Sequence, residues 1–150
     1  MKVLLAIDGS VGSDAAIEEM ASRPWPADTQ LKVITAVEIP VMIGLEPWAA
    51  SPAYFEDLEL SIRKSAKERI DAALRKLSHL GKTIELTSEI IQGPARQVIV
   101  DEADRWNADL IVMGSRGLGA WNRLLLGSVS SAVVHHAKCS VEIVRQRCAA

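Results

Sequence analysis

The chain has 150 residues, 49% of them hydrophobic and 24% charged, and its formal net charge is −2. This length predicts a single domain over residues 1–150, large enough to bury a core. The nearly balanced charge argues against nucleic acid as a partner, and the lack of an apolar run of about 18 residues argues against a membrane span. Two cysteines without CxxC spacing, Cys139 and Cys148, favour a reducing compartment, so we expect a soluble, cytoplasmic protein.

Strand and helix patterns alternate through the first part of the chain. The near-continuous apolar run KVLLAI predicts a strand at 2–7 that is covered on both faces. The turn DGSVGS follows, and Ser13 is the predicted N-cap of a helix that Pro24 ends. The run LKVITAV predicts a second strand at 31–37. Strand, helix and strand therefore follow one another as in a parallel crossover unit.

A proline-containing segment separates the second strand from the next helix. Residues 38–54 hold three prolines and a glycine and are predicted to form a loop. Apolar residues then recur at helical spacing over 55–80, with Gly81 as the predicted end of the helix. Residues 83–91 alternate in polarity and include β-branched side chains, which is typical of a less covered strand near a sheet edge.

The alternation continues to the end of the chain. Gly93 and Pro94 open a predicted helix, because proline suits the first helical position, and ADLIVM predicts a buried strand at 108–113. A glycine-rich segment, a helix and a final strand at 140–144 follow. The order predicts an α/β fold, with an open, mostly parallel five-stranded sheet and helices on both faces. Ligands of such sheets bind beyond the carboxyl ends of the strands.

The segment GSRGLGAWNRLLLGSVSSA, residues 114–132, joins a predicted strand to a predicted helix. Glycines let consecutive amides turn toward an anion. The helix that begins near Gly127 offers free N–H groups and the positive end of its dipole. Further candidate donors in this segment are Ser128, Ser130, Arg116 and Arg123. The segment is neither a Walker A motif, since it contains no lysine, nor a dinucleotide fingerprint. It predicts a phosphate site of another kind.

Structural explanations exist for the same residues. Asp8, after the first strand, can cap the turn that follows it instead of binding a ligand, and the glycine-rich segment can be a connection without a ligand. The adjacent His135 and His136 do not face each other on a helix and have no partner at metal-ligand spacing, so no metal site is predicted there. Trp48, within 38–54, can fold over a ligand or anchor its own loop.

The glycine spacing resembles that of a known family. Gly114-x2-Gly117-x9-Gly127-Ser128 resembles the G-x2-G-x9-G-[S/T] pattern of the ATP-binding universal stress proteins. The resemblance covers nearly the whole chain, through KVLLAIDGS, GPARQVIVDEADRWNADLIVMGSRG and LLLGSVSSAVVHHAKCSVEIVR. It implies a Rossmann-like sheet in the order 3-2-1-4-5, with ATP in the cleft between strands 1 and 4.

The resemblance also implies roles for individual residues. Those implied at the adenosine end are Ala6, Ile7, Asp8 and Val37, the last beside the adenine. Those implied at the ribose and phosphates are Met113 and Gly114, and those along the phosphate path are Arg116, Gly117, Gly127, Ser128, Val129 and Ser130. A divalent cation, Mg²⁺ or Mn²⁺, would be held by the phosphates of the ATP, as it is in family members of this type.

The predicted function is an ATP-binding regulatory or stress-response module that acts through its conformation or an unknown protein partner. Two alternatives stay open: a slow ATPase or phosphotransferase, and a nucleotide-free protein-interaction module. Phosphoryl transfer needs a positioned water or acceptor, and no general base is evident beside the glycine-rich segment. Asp8 is expected at the adenosine end, too far away to serve, which favours binding over catalysis.

The last strand predicts an assembly. An uncovered edge strand tends to recruit another strand, and in the family this strand often pairs with its copy, so a homodimer through Val141 and Ile143 is expected. Ser140 and Glu142 depart from the proline and the apolar residue that are usual in the family. Glu142 could approach its symmetry mate, which leaves the geometry of the dimer open.

Overall fold

The computed structural model describes residues 1–39, 52–117 and 126–145. The strands are β1 (Lys2–Ala6), β2 (Gln30–Val37), β3 (Glu85–Gln92), β4 (Leu110–Gly114) and β5 (Ser140–Val144). The helices are α1 (Val11–Ser22), α2 (Pro52–Leu77), α3 (Ala95–Trp106) and α4 (Ser128–His136), and a short 3-10 turn spans Leu80–Lys82. The strands and helices therefore alternate as the sequence predicts.

The five strands form one parallel sheet in the order β3-β2-β1-β4-β5. This confirms both the fold class and the strand order. In the register of the sheet, Leu5 of β1 lies between Val33 of β2 and Val112 of β4. The direction in which strands are added reverses at β1. The chain crosses from β1 to β2 on one side of β1, whereas β4 pairs with the other side of β1. The carboxyl ends of β1 and β4 meet at this reversal, which is where open α/β sheets bind ligands.

Each face of the sheet buries a separate layer of helices. Val3, Leu5 and Ile7 pack with residues of α1 and α2, whereas Leu4 and Ala6 pack with residues of α3 and α4. The alternation follows from the period of two in a strand, which sends successive side chains to opposite faces. Burying one aliphatic side chain of this size contributes about 1.5–3 kcal/mol, so the central strand anchors both layers. Among the described residues, no helix combines the length and the apolar character needed to cross a bilayer.

Several helix ends differ from the sequence predictions. Ser10, not Ser13, caps α1: the Ser10 hydroxyl accepts a hydrogen bond from the Ser13 amide. The second helix begins at Pro52 instead of residue 55, because proline is tolerated in the first turn of a helix. It ends at Leu77, and Gly81 lies in the 3-10 turn beyond it. In each case the helix begins or ends a few residues from the position that the sequence pattern predicts, because contacts with other elements decide which local residue caps or ends the helix.

Candidate functional site

The turn after β1 is held by its own polar groups. The Asp8 carboxylate oxygen Oδ1 accepts a hydrogen bond from the Ser10 amide at 2.9 Å. This is the local capping role that the sequence left open for the aspartate. Gly9 between them has φ +80°, a conformation that side chains rarely adopt. The Ser10 hydroxyl donates to the Arg116 carbonyl at 3.1 Å, so the turn after β1 is tied to the segment after β4.

The end of β4 packs directly on the start of α1. A Cβ on Gly114 would lie 2.6 Å from the carbonyl oxygen of Gly12 and 2.8 Å from the Ser13 nitrogen. A Cβ on Gly12 would lie 2.6 Å from the Arg116 carbonyl oxygen. These neighbours are backbone atoms, which cannot move aside as a flexible side chain can. The first glycine of the motif therefore permits two backbone segments to touch.

The start of α4 is attached to the same region through the Ser115 carbonyl. This carbonyl accepts hydrogen bonds from the Gly127 amide and from the Ser130 hydroxyl, both at 2.9 Å. Gly127 is the N-cap residue and has no side chain to cap the helix. The amides of the first helical residues have no acceptor within the helix, and they carry the positive end of its dipole. Because α4 follows β4 and Gly127 bonds to Ser115, this N-terminus lies at the edge of the sheet where β4 ends.

The other two motif glycines differ in what surrounds them. A Cβ on Gly117 would lie 2.5 Å from the Asp8 carboxylate oxygen Oδ2, so this glycine touches the aspartate after β1. Among the described residues, the atom nearest to a Cβ on Gly127 would be the Arg116 Cα at 3.4 Å. Gly127 has φ −66° and ψ 161°, which is open to any residue. Neither the backbone conformation nor the packing against the described residues requires a glycine at 127.

The structure brings most of the predicted phosphate residues together at one edge. The Asp8 turn, Arg116, Gly117 and the start of α4 are linked by the contacts described above. Predicted residues that lie deeper, with buried side chains, are Ala6, Ile7, Val37 and Met113. Ala6 and Met113 face the α3 and α4 layer, whereas Ile7 faces the α1 and α2 layer. Ser128 and Val129 lie in the first turn of α4. Arg123 and Trp48 lie outside the described residues.

Two side chains at this edge make contacts that the sequence does not predict. The Asp8 carboxylate contacts Gly117 of the glycine-rich segment, although the sequence places Asp8 too far away to serve as a general base there. The Ser130 hydroxyl, a predicted ligand donor, is buried and donates to the Ser115 and Gly127 carbonyls. Both contacts depend on how residues 115–117 fold back on β1, and the ligand roles of Asp8 and Ser130 stay predictions.

The donor atoms at this edge suit a cation that arrives with a ligand. Within the described parts of the chain, no group of three or more His, Cys, Asp or Glu residues is arranged to hold a metal ion. The edge instead offers the Asp8 carboxylate and backbone groups. Mg²⁺ is commonly bound by one or two carboxylates together with phosphate oxygens and waters. The residues present therefore fit a divalent cation carried on phosphates better than a cation in a protein cage.

One charged residue of this region was missed by the sequence reasoning. Arg69 of α2 crosses Gly9, and a Cβ on that glycine would lie 2.9 Å from the Arg69 Cδ and 3.3 Å from its Nε. The Arg69 nitrogen Nη2 donates to the Ser65 hydroxyl at 3.0 Å. Arg69 occurs in a long, highly charged helix, where nothing in the pattern separates it from its solvated neighbours. Only the fold places it beside the Asp8 turn.

The β5 edge carries a paired rather than a free carboxylate. Arg23 donates to both oxygens of Glu142, at 2.9 and 2.7 Å, and also to Glu19. The hydrogen bonds to Glu142 and then Glu19 raise the pKa of Arg23 above its usual value. Val141 and Ile143 are half-buried at this edge. The pairing with Arg23, which also serves Glu19, reduces the like-charge repulsion that the sequence suggests between two copies of the strand.

The sheet, its strand order and the helix N-terminus at the β1–β4 edge define a Rossmann-like α/β protein. The chain belongs to the universal stress protein family, whose sequence model matches residues 1–145. A relative from Coxiella burnetii, universal stress protein A homolog 2, is 36% identical over 146 residues and aligns over 96% of this chain and 94% of its own. The family predicted from the glycine pattern is thus confirmed.

Solved structures of the family share the fold. The universal stress protein UspA from Lactobacillus plantarum superimposes with a TM-score of 0.77 at 24% identity, covering 97% of both chains. A family protein from Arabidopsis thaliana with AMP bound has a TM-score of 0.64 at 23% identity, covering 98% of this chain and 92% of its own. A universal stress protein in complex with cAMP has a TM-score of 0.61 at 25% identity and covers 96% of both chains.

Proposed function

We propose that this protein binds ATP, with Mg²⁺ or Mn²⁺ on the phosphates, at the carboxyl edge of the sheet between β1 and β4. The observation that carries the proposal is Gly127. Its backbone conformation is ordinary and a Cβ has room among the described residues, yet it stands at the N-terminus of a helix whose first amides lack acceptors within the helix. A glycine that the packing of the described residues does not need is explained if a phosphate must approach those amides closely.

The charges at the edge indicate how the nucleotide is oriented. The start of α4 attracts phosphates through its amides and dipole, whereas the Asp8 carboxylate beside Gly117 repels them. The second Asp8 oxygen can accept a hydrogen bond from a ribose hydroxyl, as carboxylates do in other nucleotide-binding sheets. The nucleoside then lies toward Asp8 and Val37, and the phosphates lie toward Gly127. A cation bound to the phosphates would reduce their charge next to Asp8.

Family membership supports an adenine nucleotide as the ligand. The structure with cAMP, at 25% identity, shares the sheet that forms this edge. We assign the protein a regulatory role, in which nucleotide binding alters its conformation or its choice of a protein partner in a stress response. Backbone amides bind phosphate but do not deprotonate a water, so we expect ATP hydrolysis far below the rate of about 1 s⁻¹ at the low end of typical enzymes. A phosphate-release assay with Mg²⁺ that gave several turnovers per second would favour the enzyme instead.

The direct test replaces Gly127 and measures thermal stability with and without ATP and Mg²⁺. In the wild type, ATP at about 100 times its Kd should add about 2.7 kcal/mol of stability, which is a rise of roughly 5–10 °C in Tm for a chain of this size. Gly127→Ala, and more strongly Gly127→Val, should lose most of this rise, because a side chain blocks the approach of a phosphate to the α4 amides.

The matched control is Gly81→Ala. A Cβ at Gly81 would meet nothing within 4 Å, so this variant should keep the full ATP-dependent rise. Gly127→Ala should also melt within a few degrees of the wild type when ATP is absent. If Gly127→Ala and Gly127→Val keep the rise in Tm, the phosphates bind elsewhere. If the wild type shows no rise and releases no nucleotide on denaturation, the proposed function is wrong.

We also propose that β5 pairs with its copy in a homodimer. The strand lies at the edge of the sheet and none of its residues is fully buried, and an uncovered edge favours pairing. The Arg23–Glu142 pair offsets part of the negative charge of this carboxylate within its own chain. Sedimentation at micromolar concentration should show a dimer, and Ile143→Lys should shift it toward the monomer. A wild type that sediments as a monomer with ATP present would contradict this assembly.

A further inference from the structure

Arg69 reaches the candidate site from a helix that the glycine motif does not include. Its side chain crosses Gly9, the residue directly after Asp8. Among the described residues, the atoms nearest to a Cβ placed on Gly9 all belong to the Arg69 side chain. Gly9 is exposed, so Arg69 lies over the surface of the turn and not beneath it. Asp8 and Arg69 therefore flank the same turn, one with a carboxylate and the other with a guanidinium group.

The guanidinium group points toward the carboxyl edge of the sheet. The second helix follows β2 and precedes β3, so it runs back from the carboxyl edge to the amino edge. Helical side chains lean toward the N-terminus of their helix, which for Arg69 is the direction of the edge. Its hydrogen bond to Ser65, one turn earlier in α2, confirms this orientation.

The guanidinium group keeps most of its hydrogen-bonding capacity. Other arginines are fixed against glutamates: Arg23 on Glu19 and Glu142, Arg63 on Glu59, and Arg105 on Glu89 and Glu102. Within the described ranges, Arg69 forms no such ion pair, and its hydrogen bond goes to the neutral Ser65 hydroxyl. An arginine has five N–H donors in a planar group. Arg69 thus presents a half-buried flat cation that no carboxylate of the described residues pairs with.

We propose that Arg69 binds the nucleoside end of the nucleotide, with its guanidinium plane against the face of the base; this inference rests on the proposed nucleotide binding. The position favours the nucleoside because Arg69 lies beside Gly9 and Asp8, whose carboxylate is proposed for the ribose, and because α2 packs on the opposite face of the sheet from α4. Guanidinium planes stack on the faces of nucleobases. Asp8 then accepts from the ribose while Arg69 holds the base.

The test compares adenosine with ATP in direct binding measurements such as calorimetry. Arg69→Met keeps the aliphatic stem over Gly9 but removes the plane and the charge, and it should weaken adenosine and ATP by the same factor, about five- to tenfold. Arg69→Lys keeps the charge without the plane and should resemble Arg69→Met. The control is Arg75→Met, the same change on an exposed part of the same helix farther from the carboxyl edge, which should bind both ligands as the wild type does.

The possible outcomes distinguish a phosphate contact, a contact through charge alone, no contact by Arg69 and no nucleotide binding. If Arg69→Met weakens ATP and leaves adenosine unchanged, Arg69 contacts a phosphate and the assignment to the base is overturned. If Arg69→Lys restores wild-type binding, charge alone matters and stacking is excluded. If Arg69→Met binds both ligands as tightly as the wild type, Arg69 is no ligand residue although nucleotide binding stands. If the wild type binds neither ligand, the proposed function itself fails.

Discussion

Gly114 and Gly127 stand at the two ends of one segment, yet the protein needs them for different reasons. A Cβ on Gly114 would collide with the backbone of Gly12 and Ser13, whereas a Cβ on Gly127 would make only ordinary or slightly tight contacts. The first glycine is therefore required for β4 to pack on α1. The second has no such role in the packing of the described residues, and the proposed approach of a phosphate gives it a physical reason. In that proposal, a single sequence motif combines a packing requirement with a binding requirement.

The largest effect should come from adding a methyl group at the packing end. In Gly114→Ala the new Cβ meets backbone atoms of α1, so either the helix or the strand must shift. Overpacking of this kind costs about 1–3 kcal/mol, and we expect the upper end here because backbone atoms are involved. Thermal unfolding should show a fall of roughly 6–12 °C in Tm. An unchanged Tm would remove the distinction between the two glycines.

Gly117 lies between these extremes and should show a smaller effect. Among the described residues, its Cβ would meet only the end of the Asp8 side chain, which can rotate away at the cost of its hydrogen bond to the Ser10 amide. Gly117→Ala should therefore lose about 1 kcal/mol of unfolding free energy. In an Asp8→Ala background the same change should cost almost nothing, because the clash is gone. Equal losses in both backgrounds, measured by denaturant unfolding, would show that the two residues are not coupled.

The smallest effect is expected at Ser130, which connects the two ends of the segment. Ser130→Ala removes the hydroxyl bonds to the Ser115 and Gly127 carbonyls, but each carbonyl keeps a hydrogen bond from a backbone amide. We expect a loss of about 0.5–1 kcal/mol in stability and an ATP-dependent rise in Tm close to that of the wild type. A lost rise in Tm with little change in stability would mean that the hydroxyl reaches the ligand.

The fold was predictable because its signals are local and periodic. Apolar runs such as KVLLAI and ADLIVM fit only strands covered on both faces, and the alternation with helical patterns requires parallel crossovers. The order of the strands does not follow from these patterns and came from the family resemblance. The helix ends were less predictable, because Ser10 and Ser13 are equally good caps in the sequence and the turn after β1 decides between them.

The site was predictable as a set of residues and not as an arrangement. The glycine spacing and the aspartate after the first strand pointed to one edge, and the structure places them there. Their mutual contacts were not predictable. The contact of Asp8 with Gly117 brings together residues that the family pattern assigns to different parts of the nucleotide. The burial of the Ser130 hydroxyl likewise depends on the position of the Ser115 carbonyl.

By itself the sequence determined the α/β alternation, the phosphate-type glycine spacing and membership of the universal stress protein family. These properties depend on residue type and on spacing along the chain, which the sequence states directly. Tertiary structure alone decided that Gly12 faces Gly114, that Arg69 crosses Gly9 and that Arg23 pairs with Glu142. Such pairs join elements far apart in the chain, and their distances are fixed only when helices pack on the completed sheet. The packing of α1 and α2 on the sheet therefore sets the charge and the shape of this edge.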